Sequence, residues 1–125
     1  MNNVVDSSGW LAYFANDGNA DFFAAAIEET AELIVPTLSL YEVFKRILQQ
    51  RGEGAALQGV ALMQQGRIVE LSSSTALTAA RISHESKLPM ADSVILATAR
   101  EHNATLWTQD ADFEGLADVR FQAKK

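Results

Sequence analysis

The chain alternates between short apolar runs and longer stretches with helical periodicity. Runs at Asn3–Asp6, Leu33–Pro36, Arg67–Leu71, Thr105–Thr108 and Val119–Gln122 predict five β-strands. Between them, apolar positions recurring at about every 3.6 residues predict helices over Gly9–Ala15, Ala20–Glu29, Ser39–Arg51, Glu53–Gln65, Thr75–Ser86 and Met90–His102. Residue types at the helix ends agree with these boundaries. Ser7 and Ser8 are capping candidates, and Ser72-Ser73-Ser74-Thr75 reads as a loop ending in an N-cap. Pro89 suits a first helical turn, and Gly66 suits a left-handed residue after a helix. Each of the first four strands is followed by a helix, an order that points to βα units on a parallel sheet. Right-handed crossovers then place helices on both faces, giving a three-layer α/β/α sandwich. No repeat, low-complexity tract or linker divides the sequence, so the expectation is one domain over residues 1–125.

Composition narrows the class. With 48% hydrophobic and 21% charged residues, the chain is globular rather than disordered. A chain of 125 residues buries roughly two-thirds of its unfolded surface, so it needs no covalent staple. Having no cysteine, it has no disulfide, thiolate metal site or cysteine nucleophile, which is compatible with a reducing cytosol. Its longest apolar runs, such as Phe22–Ile27, fall far short of the ~20 residues of a spanning helix. Met1-Asn2-Asn3 has no basic segment of a secretory signal, so a cytoplasmic location is expected. The net charge of −6 argues against gripping nucleic acid through a global field, although a local basic patch or a metal can still meet phosphate.

The acids carry the candidate chemistry. In open α/β sheets, sites form beyond the carboxyl ends of the strands. Asp6 ends the first predicted strand and Asp110 lies two residues past the fourth. Alone, each reads equally as a helix cap or a turn residue. Asp92 differs, because Ile95, Leu96 and Ala99 follow at i+3, i+4 and i+7 and put it on an inward stripe. No lysine or arginine follows it until Arg100. A helix start also favours an acid through its dipole. Glu42 fits a capping box with Ser39, or a surface pair with Lys45 and Arg46, and also lies near the same rim. Two carboxylates ~4 Å apart repel by about 4 kcal/mol at an effective dielectric of 20, so four together call for a cation. Magnesium or manganese suits oxygen-only ligands and can activate water at a phosphodiester.

Four segments resemble a known family. They are Val4-Val5-Asp6-Ser7-Ser8; Thr37-Leu38-Ser39-Leu40-Tyr41-Glu42-Val43; Leu88-Pro89-Met90-Ala91-Asp92-Ser93-Val94-Ile95-Leu96-Ala97-Thr98-Ala99; and Leu106-Trp107-Thr108-Gln109-Asp110-Ala111-Asp112-Phe113. In this order they resemble the PIN-domain ribonucleases, and most closely the VapC-type toxins of toxin–antitoxin pairs. The resemblance implies sheet order 3-2-1-4-5 and Mg²⁺- or Mn²⁺-dependent cleavage of RNA. It also implies a small antitoxin partner and a homodimer. By position, Asp6 and Asp92 are the principal metal ligands, with Glu42 and Asp110 as further acids and Thr108 orienting carboxylates through its hydroxyl. Ser7 and Ser8 stand where the family often has Asn or Thr, which makes Ser7 the candidate for the supporting hydrogen bond. Asp110 is preferred over Asp112, which is assigned a surface or helix-start role.

Other residues are weaker candidates. Lys45, Arg46 and Arg51 form the one local basic grouping and are candidate RNA contacts, although a solvated helix face fits as well. Trp10, Phe14, Phe44 and Leu48 are expected mostly in the core, on helices that form the antitoxin groove in VapC-like toxins. His84 and His102 read as structural. Two alternatives remain open at this point. A phosphoacceptor receiver has a similar length and an acidic magnesium rim, but wants paired acids after the first strand and a lysine after the fifth. A PIN fold used only to bind RNA is the other.

Overall fold

The computed structural model describes all residues, 1–125. Five strands, β1 (Asn2–Val5), β2 (Leu33–Pro36), β3 (Arg67–Val69), β4 (Ala104–Thr108) and β5 (Val119–Phe121), form one parallel sheet in the order β3-β2-β1-β4-β5. β1 lies at its centre, with Val4 beside both Ile34 and Leu106, and Val5 beside Trp107. The expected order is therefore present. A receiver would instead set its first strand between the second and third, so that alternative falls.

Six helices cover the sheet: α1 (Ser7–Phe14), α2 (Ala20–Ile27), α3 (Thr37–Arg51), α4 (Glu53–Met63), α5 (Ser73–Ser86) and α6 (Met90–Glu101). The pleat sends Val4 into one apolar cluster and Val5 into another. Val4, Ile34 and Leu106 pack with Ala79, Ile82, Ile95 and Leu96 of α5 and α6. Val5, Val35 and Trp107 pack with Trp10, Phe23, Val43, Ile47, Ala56 and Met63 of α1 to α4. Burial on both faces explains why β2, and β1 at Val4-Val5, read as continuous apolar runs rather than alternating ones. Trp10 is fully buried as expected, whereas Phe14 and Phe44 are half-buried and Leu48 is exposed. No helix is long and apolar enough to cross a membrane.

The differences from expectation lie at element ends. Asp6 does not end β1 but caps α1, accepting a hydrogen bond from the Gly9 amide at 2.8 Å, so Ser7 and Ser8 are helical rather than capping. α3 starts at Thr37 after Pro36, with no side-chain cap, and the capping box of Ser39 and Glu42 does not form. Ser72 caps α5 through the Thr75 amide, as its cluster suggested. Gly66 has no positive φ; a Cβ there would stand 2.9 Å from the Leu33 carbonyl oxygen, so its requirement is close approach to β2. Gly9 has the same kind of need. A Cβ there would meet the Phe23 ring and Val5 at 2.6–2.7 Å, which lets α1 lie tightly over β1 and fixes the height of Asp6.

Candidate metal centre

The acids gather at the carboxyl end of the central strands. Asp6 follows β1 and Asp110 follows β4, which pair in register, so both overhang one rim. Asp92 lies in the first turn of α6, immediately before the buried run Ser93–Ala99. That run anchors the helix between α5 and the sheet and carries Asp92 inward with it. Ser93 Oγ fastens the helix start by donating to the Pro89 carbonyl at 2.8 Å. Each of Asp92, Asp110 and Asp112 offers an oxygen, and these lie within 4.8 Å of one another. Asp112 is exposed and opens a 3-10 turn, as expected, yet it also joins this trio. The reason is local: Asp110 Oδ1 accepts from the Asp112 amide at 2.9 Å and folds the turn back on itself.

Asp6 stands beside the trio and is only 3% exposed. Thr108 Oγ1 donates to its Oδ2 at 2.6 Å, and Ser8 Oγ donates at 3.0 Å. The same Thr108 oxygen accepts from the Asp110 amide at 2.9 Å, so one hydroxyl links the two acids. Glu42 accepts from Ser7 Oγ at 2.6 Å across 35 residues of chain. Ser7 therefore supports Glu42 and Ser8 supports Asp6. The Asn/Thr-like position pointed to this neighbourhood, but Ser8 was missed because its expected role was to cap the helix.

Electrostatics show that these charges crowd one another. Burial first, then the charges of Asp110, Asp6, Glu42 and Asp112 in that order, together raise the Asp92 carboxyl to about 7. Asp112 contributes least although it belongs to the close trio, since water screens an exposed carboxylate. Burial also raises Asp6, to about 6, against the opposing hydrogen bonds from Thr108, Gly9 and Ser8. No cationic side chain answers this charge: the only ion pairs are Met1 with Glu32 and Arg100 with Asp118. An oxygen-only, uncompensated carboxylate set is the donor chemistry of a hard divalent cation, and the residues present fit one.

The basic residues divide. Lys45 and Arg46 are exposed about one turn beyond Glu42, and Lys45 lies 5.8 Å from the Tyr41 ring centre. Arg51 is nine residues along α3 from Glu42, roughly 13 Å by helical rise. It lines a separate cleft of about 240 Å³ between α1, α3 and α4, with Leu11, Phe14, Ile47 and Leu62. His84 is exposed, and His102 Nδ1 lies 2.9 Å from the Thr98 carbonyl oxygen, so neither joins the acids.

A family model described as the PIN domain matches residues 4–119. No curated protein matches. Solved structures do. A chain of a toxin–antitoxin complex from Klebsiella pneumoniae superposes with a TM-score of 0.79 at 22% identity, covering 94% of this chain and 95% of that one. VapBC2 from Rickettsia felis, bound to a DNA fragment from its promoter, gives 0.77 at 13% identity over 100% of both chains. Mycobacterium tuberculosis VapC20, described as a toxin cleaving the sarcin–ricin loop, gives 0.70 at 18%, covering 94% and 98%.

Proposed function

The chain belongs to the PIN-domain family, and from that premise we propose that it is the toxin of a VapBC-type pair, a metal-dependent endoribonuclease. The observation that carries this reading is Asp92, whose carboxyl is raised to about 7 among four other acids with no cationic side chain in answer. Mg²⁺ or Mn²⁺ bound there would supply Lewis-acid activation of water and stabilise charge on the scissile phosphate. The chain's own residues set the geometry. Thr108 and Ser8 fix the Asp6 carboxylate, Ser7 fixes Glu42, and the turn at Asp110 sets the exposed Asp112 beside Asp92 and Asp110. Asp6 and Asp92 are the principal ligands in this reading, with Glu42 and Asp110 as further acids and Asp112 beside Asp92 and Asp110.

RNA enters over an acidic rim, so its phosphates need local cations. Lys45 and Arg46 provide these beside Glu42, whereas Arg51 belongs to the cleft. The apolar walls of that cleft suit the nonpolar side of an antitoxin segment, in keeping with the toxin–antitoxin complexes among the structural relatives. A homodimer acting in the cytoplasm completes the proposal, on family grounds.

The test is incubation of the purified protein with total cellular RNA in manganese, in magnesium and in EDTA. Discrete fragments with either metal and none in EDTA are expected. Undiminished cutting after thorough chelation would remove the metal mechanism. Binding of RNA without cutting in either metal would favour the non-catalytic alternative.

A further inference from the structure

Asn19 occupies the N-cap position of α2, where asparagine ordinarily accepts a hydrogen bond from its own helix, yet it makes no such bond. Its side chain, in a residue only 2% exposed, turns to distant chain instead. Its Nδ2 donates to Gln109 Oε1 and to the Ala123 carbonyl, both at 3.0 Å, and its Oδ1 accepts from Gln122 Nε2 at 2.9 Å. Gln109 continues the chain of contacts, with Nε2 donating to the Ser8 carbonyl at 3.4 Å. One orientation of both amides satisfies every one of these contacts; turning the Gln109 amide over would set donor against donor.

The position of Gln109 gives the network its meaning. It lies between Thr108 and Asp110, and neither its backbone N–H nor its C=O enters a backbone hydrogen bond. Its side-chain amide therefore ties this residue to the rest of the fold. One end of that tie reaches Asn19, and the other reaches Ser8, whose hydroxyl holds Asp6. On the far side of the same turn, Thr108 Oγ1 joins Asp6 to the Asp110 amide. The strand-end carboxylates are thus held both from within, by Thr108, and from outside, by Gln109 and Asn19.

We propose that Asn19 and Gln109 are positioning residues that hold the Thr108–Asp112 turn against the start of α1, and so set the spacing of Asp6 and Asp110 for a divalent cation. The functional part rests on reading the acids as ion ligands; the mechanical part does not. Outer partners of metal ligands typically tune affinity by about 10–100-fold. Asn19 makes no local capping bond, so serine at this position removes the three long-range bonds without costing the helix a cap.

Two variants test the proposal, Asn19→Ser and Gln109→Met, each read by Mn²⁺ calorimetry and by amide hydrogen exchange at Asp110 without metal. Expected are a folded protein, Mn²⁺ binding weakened roughly 10-fold or more, and faster exchange at Asp110 with unchanged exchange inside β1. Parent-like affinity together with parent-like exchange in either folded variant would overturn it. A loss of melting temperature with both readouts unmoved would show a merely structural network and would also overturn it. If the parent itself binds no Mn²⁺, the ion-ligand reading fails separately, and exchange at Asp110 decides the positioning claim alone. Should Asn19→Ser fail to fold, Gln109→Met, which leaves the α2 cap residue in place, supplies both readouts.

Discussion

Replacing Asp92 with asparagine separates an acid kept for a cation from one kept for a helix. The change preserves size and most hydrogen-bonding capacity while removing one charge. Asp92 rises from 3.8 in the unfolded chain to about 7 in the fold, so folding favours its protonated form. The stability this confers is complete below pH 3.8 and is lost as pH rises through about 7. A shift of this size in a fully buried group would be worth about 4 kcal/mol. Half-exposure and solvent screening reduce it to about 2 kcal/mol. Against this, asparagine forfeits the favourable place of an acid in the first turn of α6, worth ~0.3–1 kcal/mol. The cost of burying and crowding the charged carboxylate is larger. Metal-free at pH 8, Asp92→Asn should gain about 1–2 kcal/mol, or roughly 3–7 °C for a chain of this length. At pH 4 the gain should vanish. Manganese should stabilise the parent more than the variant, because stabilisation follows RT ln(1 + [L]/Kd). RNA cleavage should fall by orders of magnitude. Melting curves at both pH values, with and without manganese, provide the readout. A variant that melts lower at pH 8, with a parent-like metal shift and parent-like cleavage, would refute the reasoning.

Two further substitutions address the support and the partner surface. Thr108→Val removes the hydroxyl that donates to Asp6 and accepts from the Asp110 amide. The Asp6 carboxyl should rise above about 6, stability at neutral pH should fall by about 1–3 kcal/mol, and manganese affinity should drop, as read by carboxyl NMR titration, melting and calorimetry. Leu62→Asp sets a charge in the wall of the cleft at a side chain already 41% exposed, so the fold should survive. Antitoxin binding should weaken at least roughly 10-fold, equivalent to about 1.4 kcal/mol, while RNA cleavage stays at the parent level; an unaffected complex would move the antitoxin elsewhere.

The sheet was legible because strands buried on both faces announce themselves as apolar runs, as the fully buried β2 does, and as β1 does in its Val4-Val5 half. Helix bodies were legible from their apolar spacing, although α6 is buried on all sides from Ser93 to Ala99 rather than along one stripe. Ends were less so, because several local signals competed with distant partners. Ser39 and Glu42 have capping-box spacing, but Ser7 takes Glu42 from 35 residues away and Pro36 already starts the helix. Ser8 looks like a cap until Asp6, two residues earlier, takes that place and Ser8 turns to support it. Gln109 and Asn19 leave no pattern at all, because their bond spans 90 residues. Periodicity and capping rules see about one turn of chain; hydroxyl and amide bonds that fix a site do not respect that range.

Asp6 also shows that cap and ligand are not rival readings. Its Oδ1 accepts from the Gly9 amide at the start of α1, Asp110 accepts from the Asp112 amide, and Asp92 stands in the first turn of α6. Each acid is partly stabilised by backbone N–H groups before any ion arrives, which is how the fold holds them together at all. Magnitudes decide whether that is enough. One pair of carboxylates 4.8 Å apart repels by roughly 3 kcal/mol at an effective dielectric of 20, and Asp92 and Asp110 form such a pair, while water screens the exposed Asp112 beside them. Helix-start contributions of ~0.3–1 kcal/mol each fall short of that repulsion. A proton on Asp92 relieves part of it, and burial together with the neighbouring charges holds that proton up to about pH 7. At pH 8, where that proton has largely gone, a bound divalent ion would relieve the cluster, and the manganese-dependent melting of parent and Asp92→Asn reads that relief directly.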